Sequence, residues 1–391
     1  MKKTITICLL IIINLSFSQS RTINGVIKDM TTMLPVESVS ISLEGSNIGT
    51  ISNEEGKFKI TLPENTSVIK FSHLYYKLEN YTVKQNDTDI EIFLEPKLYV
   101  LDEVVINQKP GKTLLNEAVD ISKDKLEKSL LLNTYYREFI NVDGKYTNFS
   151  EGIIDYYIKR KSGVSDLYVK QSRTFNLKDE NASEREKAIG SFNLNDVRKA
   201  VSNAYRFNII NQILKSDNYY FSSETKSEPG GGKIEIITIE PKENIEQEMI
   251  YVGTVTYDFK TKLILDINIR FSPEHKKYNE LHNILIIKIK FNDIVRRASF
   301  KLDRDNYVMI YSQVKSNVYI KYGKKIDNTF ESLCDITTLD YKEGKFDLDK
   351  SKRYNNPSLF TNGNNYTEEF WKKYNVILLN DSEEKIIKSL K

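Results

Sequence analysis

Alternating polar and apolar residues between closely spaced turns fill residues 22–106, and this pattern constrains the fold more than any other feature of the chain. Apolar side chains occupy every second position at 39–43, and the pattern repeats at 58–62 after the turn at 53–56. Further apolar strand segments lie at 68–71 and 90–94. Because successive side chains of a strand point to opposite faces, each segment turns one face to a core. About seven short strands in roughly 80 residues predict a β-sandwich.

A series of short motifs runs through the same region in a fixed order. The motifs are Asn24-Gly25-Val26-Ile27-Lys28-Asp29, Pro35-Val36, Val39-Ser40-Ile41, Gly49-Thr50, Asn53-Glu54-Glu55-Gly56-Lys57-Phe58 and Leu101-Asp102-Glu103-Val104-Val105. This order resembles the carboxypeptidase-regulatory-like domain. The resemblance implies a transthyretin-like sandwich, a module common at the N-terminus of outer-membrane TonB-dependent receptors and related exported proteins. Many members carry a Gly-Tyr pair where this chain has His73-Leu74-Tyr75-Tyr76, a difference that affects a local turn and not the fold.

The family name suggests a peptidase, but the residues that such an enzyme requires are missing. In zinc carboxypeptidases the regulatory module lies beside the catalytic domain and holds no metal. The catalytic domain binds zinc through a His-x-x-Glu pair and a distant His. None of the three histidines is followed by Glu at the third position: His73, His275 and His282. A TonB-dependent receptor is also excluded, because only about 285 residues follow the module, too few for a plug and a barrel.

Residues 1–18 have the layout of a secretory signal peptide. A basic start precedes the apolar run 5–15, and Ser16-Phe17-Ser18 places small residues where a signal peptidase needs them. We therefore expect cleavage after Ser18. The apolar run is shorter than the roughly 20 residues of a membrane span, so an uncleaved anchor is the weaker alternative. Lipidation at Cys8 is weaker still, because Cys8 lies inside the apolar run.

Loss of the signal peptide leaves a nearly neutral chain with one cysteine. Lys2 and Lys3 leave with it, so the formal net charge falls from +3 to 3 − 2 = +1. A chain with mixed charges near neutrality offers no electrostatic basis for binding nucleic acid. Cys334 then has no partner for an intrachain disulfide. No later segment is apolar enough to span a bilayer as a helix, so we expect a soluble protein, or one attached to a membrane through partners.

Residues 107–391 predict a second, larger domain of strands and a few helices. Helical spacing extends over 111–132, and a hairpin at 135–159 turns at Asp143-Gly144. The charged stretch 178–205 fits helices or a polar excursion. Further strands are expected at 218–225, 234–240, 250–257, 263–271, 285–293, 308–316, 318–325 and 332–339. A cap at 368–374 and a short polar helix at 382–390 complete the domain.

The whole chain is therefore mainly β with some α. We expect a β-sandwich over 19–106, then an α+β domain over 107–391 with a curved antiparallel sheet and C-terminal helices. The sheet either closes on itself or is covered by helices. The segments at 239–242, 253–258 and 263–267 resemble the half-barrel of periplasmic lipoprotein carriers. That resemblance implies a concave apolar sheet that holds an acyl chain, although alternation alone does not distinguish a cavity from a packed core.

Several motifs suggest chemistry but fit a structural role better. Asp303-Arg304-Asp305-Asn306 lacks the bidentate Glu and the turn Gly of a calcium loop, so we expect a hairpin turn. His275 and His282 lack a third soft ligand and are expected at the surface or in turns. Gly230-Gly231-Gly232-Lys233 is followed by Ile234 and does not fit a phosphate-binding loop. No Gly-x-Ser-x-Gly elbow occurs, so the sequence does not support a serine hydrolase.

Two residue types remain to be placed. Cys334 lies between alternating apolar and polar residues, which favours a buried structural thiol over a nucleophile. The chain contains 24 tyrosines. Tyrosine suits half-buried strands and also surfaces that stack on sugars or lipids. Because the tyrosines are spread through the predicted strands, we favour the structural role.

The sequence leaves two hypotheses of function. The first is an exported, non-enzymatic protein of the cell envelope, in the periplasm or associated with the outer membrane. It would dock through the sandwich and use the curved sheet to bind an apolar ligand or an envelope protein. The second is an envelope hydrolase with a carboxylate-based site that acts on glycans. We favour the first and predict no catalytic, cofactor-binding or metal-binding residues.

Overall fold

The computed structural model describes residues 21–63, 66–98, 100–101, 110–176, 196–227, 232–324, 326–362, 367–372, 374 and 376–390. The predicted signal peptide, including Cys8, lies outside these residues. So do the expected domain boundary at 106/107 and most of the glycine-rich segment at 230–232. These three expectations stay predictions.

The N-terminal region forms two small sheets that face each other. The strands are β1 (Arg21–Asp29), β2 (Ser40–Leu43), β3 (Gly49–Ile51), β4 (Lys57–Leu62), β5 (Val68–His73), β6 (Tyr76–Thr82) and β7 (Asp89–Leu94). One sheet has the order β4-β1-β7 and the other has the order β3-β2-β5-β6. The pairing of β1 with β7 is parallel, and the others are antiparallel. Seven strands in two sheets confirm the predicted sandwich.

The alternating residues of these strands fill the core of the sandwich. Ile41, Phe58 and Phe71 are fully buried, and the rings of Phe58 and Phe71 meet edge to face with centroids 5.4 Å apart. Gly25 is required where β1 lies between β7 and β4 of its own sheet. A Cβ at this position would lie 2.5 Å from the carbonyl oxygen of Ile90 and 2.6 Å from the Phe58 ring. Any larger residue would therefore force β1 away from its neighbours.

The second region is built on one large antiparallel sheet. Its strands are β8 (Val100–Leu101), β9 (Leu130–Val142), β10 (Lys145–Ile158), β11 (Ser165–Asn176), β12 (Tyr219–Ser227), β13 (Lys233–Pro241), β14 (Tyr251–Asp258), β15 (Ile264–Phe271), β16 (His282–Ile284), β17 (Ile287–Asp303), β18 (Asn306–Tyr322) and β19 (Ile326–Glu343). The order is β11-β10-β9-β19-β18-β17-β15-β14-β13-β12-β8, and β16 pairs with β17. The mainly β fold with a curved antiparallel sheet is confirmed.

Helices and the sandwich cover opposite faces of this sheet. Helices α1 (Gly111–Asp124), α2 (Val197–Tyr205) and α3 (Asn208–Leu214) pack on one side, which we call the helix face. The sandwich, α4 (Glu368–Lys372) and α5 (Asp381–Leu390) lie on the other side, which we call the sandwich face. Short 3-10 turns occur at Lys276–Tyr278, Lys350–Lys352 and Leu359–Asn362. Of the two expected arrangements, the described strands adopt the open one, covered by helices.

The helix face is a packed core over most of its area. Helix α2 buries Val197, Val201 and Tyr205, which lie four residues apart and therefore on one side of the helix. The Tyr205 hydroxyl donates to the carbonyl of Tyr307 at 3.2 Å and accepts from the Met309 amide at 2.8 Å. The alternation of apolar and polar residues in the strands could not show that the helix face is a packed core, because the helices that cover it come from distant parts of the chain.

The sandwich contacts the sandwich face of the large sheet through the apolar residue Ile51 and several hydrogen bonds. Ile51 packs in a cluster with Tyr135, Tyr311 and Trp371 of the second region. The amide of Asn47 donates to the carbonyl of Tyr341 at 2.9 Å. These contacts fix the sandwich against the centre of the large sheet.

Some predicted boundaries were wrong. The first helix ends at Asp124, and Leu130, which the helical spacing included, begins β9. Leu126 and Leu130 are nevertheless buried. Their spacing resembles that of a helix, but a loop and a strand bury them. The segments 308–316 and 318–325 form one strand, β18, which passes through Asn317 without a break. The segment 332–339 is part of the longer strand β19, and the segment 285–293 covers the turn residues 285 and 286 and the start of β17.

The predicted turns were more accurate. Asp143 and Gly144 have φ values of +48° and +82°, as a two-residue hairpin turn requires. Arg304 and Asp305 have φ values of +47° and +69° and connect β17 to β18, which confirms a hairpin in place of a calcium loop. Strands β3 and β6 were not placed individually, because each is short and lies next to turn residues.

Candidate functional site

A pocket of about 370 Å³ lies on the helix face, between α2, α3 and the sheet. Apolar residues form about half of its wall, and polar and charged residues form the rest. The lining includes Ala204, Phe207, Tyr251, Ile267, Ala298 and Arg296. The volume falls in the range of about 300–1,000 Å³ that small-molecule sites occupy. We call this space the helix-face pocket.

Four charged residues line this pocket, and Arg296 is the one without an ion pair among the described residues, since Asp196, Lys199 and Arg297 are paired. Arg296 lies on β17, opposite Ile269 on β15 and Val314 on β18, and it is partly buried. Within the described part of the chain, its guanidinium has neither an ion pair nor a hydrogen bond. Burial lowers the pKa of Arg296, and the Tyr251 hydroxyl opposes part of this change. A guanidinium keeps its charge even so, and here that charge is not balanced by a carboxylate.

Asp196, which also lines the pocket, already has a cationic partner. Asp196 caps α2 by accepting a hydrogen bond from the amide of Arg198 at 3.0 Å. Its carboxylate also pairs with the Arg198 guanidinium at 2.7 Å, and these contacts hold the pKa of Asp196 below its usual value despite burial. Asp196 therefore fixes the start of α2 and does not neutralise Arg296.

Cys334 and Glu138 face each other on β19 and β9, beside the pocket. Burial raises the pKa of the Cys334 thiol well above its usual value, so the thiol stays protonated, which agrees with the predicted structural role. Burial raises the pKa of Glu138 to about 7, and the hydroxyls of Tyr136 and Ser358 oppose only part of that rise. Oε2 of Glu138 is buried without a hydrogen-bond partner among the described residues.

A larger cleft of about 710 Å³ separates the sandwich from the sandwich face of the sheet, and we call it the interdomain cleft. Its lining includes charged and aromatic residues, among them Glu37, His73, Tyr75, Asp266 and Arg297. Burial raises the pKa of Asp266 to about 6, and the Ser299 hydroxyl donates to its carboxylate at 2.8 Å. Burial lowers the pKa of His73 to about 4, with a smaller effect from Lys97.

The sandwich face also buries a group of charges that are paired with one another. Arg137 donates through Nε to Asp335 at 2.8 Å and through Nη1 to Glu383 of α5 at 3.0 Å. The Tyr311 hydroxyl donates to Asp335 at 2.6 Å, and Gln313 donates to the same carboxylate oxygen at 3.0 Å. We call these five residues the Arg137 network. Because its one cation is paired with both of its carboxylates, it has the features of an architectural element.

The other predicted positions lie apart from both cavities or have ordinary partners. His275 precedes a 3-10 turn, and its Nδ1 lies 2.8 Å from the Ser272 hydroxyl. His282 lies in β16, with Nε2 2.7 Å from the Glu248 carboxylate. In the part of the chain that the structure describes, no three His, Cys, Asp or Glu side chains form a cluster suited to a metal ion.

Sequence reasoning did not identify Arg296, Glu138 or Asp266. Arg296 and Glu138 are charged residues at positions whose strand neighbours on the same face are apolar, whereas Asp266 shares its face with the polar Asn268. Arg296, for example, shares its face with Ala298 and Phe300. That interruption of an apolar face is the signal that could have identified it. Across the described residues, the helices are too short or too polar to cross a membrane.

Comparisons with known proteins match the N-terminal region. Residues 23–106 match the family model of the CarboxypepD_reg-like domain. The TonB-dependent receptor SusC of Bacteroides thetaiotaomicron is 26% identical over 121 residues, which are 30% of this chain and 12% of the receptor. The chain therefore spans only a small part of the length of this curated relative.

Two solved structures match this chain at low similarity. Lipovitellin, described for its lipid–protein interactions, has a TM-score of 0.27 and 9% identity over 66% of this chain and 28% of its own. A LolA superfamily protein from Nitrosomonas europaea has a TM-score of 0.20 and 10% identity over 63% of this chain and 98% of its own. Neither score supports an argument about this chain. The comparisons identify residues 23–106 as a CarboxypepD_reg-like domain.

Proposed function

We propose that this chain is an exported, non-enzymatic binding protein of the cell envelope, in the periplasm or associated with the outer membrane. Its ligand is an apolar molecule with an anionic end, held in the helix-face pocket. The observation that carries the proposal is the unpaired Arg296 beside the apolar residues of the pocket wall. The CarboxypepD_reg-like domain, the similarity to SusC and the predicted signal peptide support the envelope assignment.

The chemistry of the pocket favours this ligand class. A partly buried charge without a partner is costly, because the protein does not replace the water that the charge loses. An anionic group on a ligand would offset that cost, and a guanidinium can bind a carboxylate or phosphate with two parallel hydrogen bonds. The surrounding Phe207, Ile267 and Ala298 would contact an apolar chain. A single-chain amphiphile, such as a fatty acid, has both parts.

Titration calorimetry with palmitate and with methyl palmitate tests the assignment. The two ligands share the chain, and only palmitate carries the anion. We expect Arg296→Met to weaken palmitate binding by about tenfold or more and to leave methyl palmitate unchanged. Arg270→Met is the matched control, because Arg270 is an exposed arginine on the neighbouring strand β15. Palmitate binding that is absent, or insensitive to Arg296→Met, contradicts the proposal.

The alternative hydrolase hypothesis draws on a different observation, the carboxyl of Asp266 in the interdomain cleft. A pKa near 6 suits a general acid, and the cleft is large and lined in part by charged residues. Glycoside hydrolysis needs a second carboxylate. Asp258 also lines the cleft, but its carboxylate is bound to the Thr261 amide and hydroxyl, both at 2.7 Å. Release of reducing sugar from envelope glycans that disappears in Asp266→Asn would favour this alternative.

A further inference from the structure

The tip of the β16–β17 hairpin exposes consecutive aliphatic side chains. Ile284, Leu285 and Ile286 are 55%, 97% and 70% exposed. Leu281, just before the hairpin, is also exposed. A single exposed leucine is ordinary on a protein surface, but a run of them at a hairpin tip marks a surface that contacts something apolar.

The geometry of the turn does not explain the leucine. Leu285 is the first of two turn residues and has a φ of +56°. Glycine is favoured at such a position, because a Cβ makes positive φ unfavourable. Two other two-residue hairpin turns of the same sheet use polar residues or glycine: Asp143-Gly144 and Arg304-Asp305. The apolar tip is therefore an exception among comparable turns of one sheet.

The tip lies beyond the last pairing of β17 with β15. That pairing begins at Val295, so β17 continues for eight residues, to Ile287, without β15 beside it. At ~3.4 Å per residue, this segment is about 27 Å long. The short β16 pairs with this edge, and β18 runs along the other edge as far as Tyr322, opposite Ile287. The tip therefore lies at one end of the sheet, beside the turn between β18 and β19.

Basic residues lie next to the tip without ionic partners. Lys288 and Lys290 lie on β17, and Lys324 lies in the turn after β18. Among the described residues, none of the three has an ion pair. The nearby acids are mostly paired: Glu248 with His282, Asp293 with Lys276 and Asp327 with Lys321. The exposed Glu280 is the acidic exception. The net balance around the apolar tip is positive.

From the exposed aliphatic tip and its flanking lysines, we infer that the β16–β17 hairpin docks this protein onto an anionic lipid bilayer. The three aliphatic side chains enter the boundary between headgroups and acyl chains, and the lysines contact lipid phosphates. An apolar surface that enters a bilayer next to unpaired lysines is complementary to it in both polarity and charge. This contact is independent of a ligand in the helix-face pocket.

Co-sedimentation of the full mature chain with lipid vesicles tests the inference. The vesicles contain equal amounts of phosphatidylethanolamine and phosphatidylglycerol, or phosphatidylcholine alone. We expect binding to the anionic vesicles that weakens as salt is added, and much weaker binding to phosphatidylcholine. Leu285→Gly should lower binding by about tenfold or more, because it removes one inserted side chain. Glycine suits the positive φ, so this variant should be at least as stable as the wild type.

Two further variants show whether membrane binding depends on the tip and on its lysines. Leu78→Asn changes a comparably exposed leucine on the sandwich and should bind like the wild type. Lys288→Gln combined with Lys290→Gln should weaken binding to anionic vesicles and reduce its salt dependence. Wild-type protein that does not sediment with anionic vesicles would refute the inference. A Leu285→Gly variant that binds anionic vesicles as tightly as the wild type would also refute it. So would a Leu285→Gly variant whose only change is that a dimer becomes a monomer, because the tip would then be a contact between two copies of the chain.

Discussion

Two groups of buried charge, one on each face of the large sheet, differ in whether they are paired. On the sandwich face, Arg137 forms ion pairs with Asp335 and Glu383. On the helix face, Arg296 and Glu138 are each buried to some degree with no ionic partner in the described chain. Both faces carry long strands with the same alternation, so the sheet itself does not impose the difference. Paired charges serve assembly, whereas unpaired charges remain available to a ligand or a proton.

The paired charges also explain how the C-terminal segment is held. Glu383 belongs to α5, and its carboxylate accepts hydrogen bonds from Arg137 and from the amide of Asn380 at 2.8 Å. Ile387 of the same helix packs with Phe139 and Phe149. The sandwich face thus joins distant parts of the chain through a combination of apolar contact and balanced charge.

Arg137→Met should produce the largest loss of stability. It leaves Asp335 and Glu383 buried without their cation, and breaking a buried ion pair in this way typically costs ~3–5 kcal/mol. Urea unfolding followed by circular dichroism measures the change. The triple variant Arg137→Met, Asp335→Asn and Glu383→Gln should recover a large part of the loss, because no lone charge remains. A loss below ~1 kcal/mol for Arg137→Met would mean that water reaches the network.

Glu138→Gln should change stability on the helix face, and the sign depends on pH. Burial raises the pKa of Glu138 from 4.5 to about 7, so the folded chain retains a proton that the unfolded chain releases between these values. The stability from this proton is present below pH 4.5 and is lost as the pH rises through 7. Glutamine resembles the protonated form, so the variant should equal the wild type at pH 4 and exceed it by up to ~3 kcal/mol at pH 8.

Urea unfolding of both proteins across this pH range measures the difference. The carboxyl of Asp266, whose raised pKa falls in the same range, is present in both and cancels from the comparison. Parallel stability curves from pH 4 to pH 8 would contradict the raised pKa of Glu138. They would also weaken the contrast between the two faces, because Glu138 would then be effectively solvated.

The sequence predicted what depends on neighbouring residues and missed what depends on distant ones. The sandwich strands and the turn at Asp143-Gly144 follow from alternation and from residues that favour positive φ. The continuity of β18 through Asn317 follows instead from pairing with β17 and β19, which no local pattern shows. The unpaired state of Arg296 was equally hidden, since the sequence does not tell which of the many carboxylates lies near it.

Asn53→Ala should cause an intermediate loss of stability at the contact between the sandwich and the sandwich face. The Asn53 side chain accepts from the amides of Glu55 and Lys57 at 3.0 and 2.9 Å, and it donates to the carbonyl of Leu378 at 3.1 Å. Loss of these bonds at a buried position should cost ~1–2 kcal/mol in urea unfolding. Asn47→Ala removes a single bond across the same contact and serves as the milder control. Equal losses for the two variants would show that the turn contributes nothing.

Arg296→Met should have the smallest effect on stability, and this separates it most clearly from Arg137→Met. Removal of an unpaired, partly buried guanidinium leaves no stranded carboxylate, and the methionine side chain still covers the apolar wall. The free energy of unfolding should stay within ~1 kcal/mol of the wild type, with any change toward higher stability. Urea unfolding without added ligand measures it. A loss comparable to that of Arg137→Met would show that Arg296 has a structural partner, and the contrast between the two faces would fail.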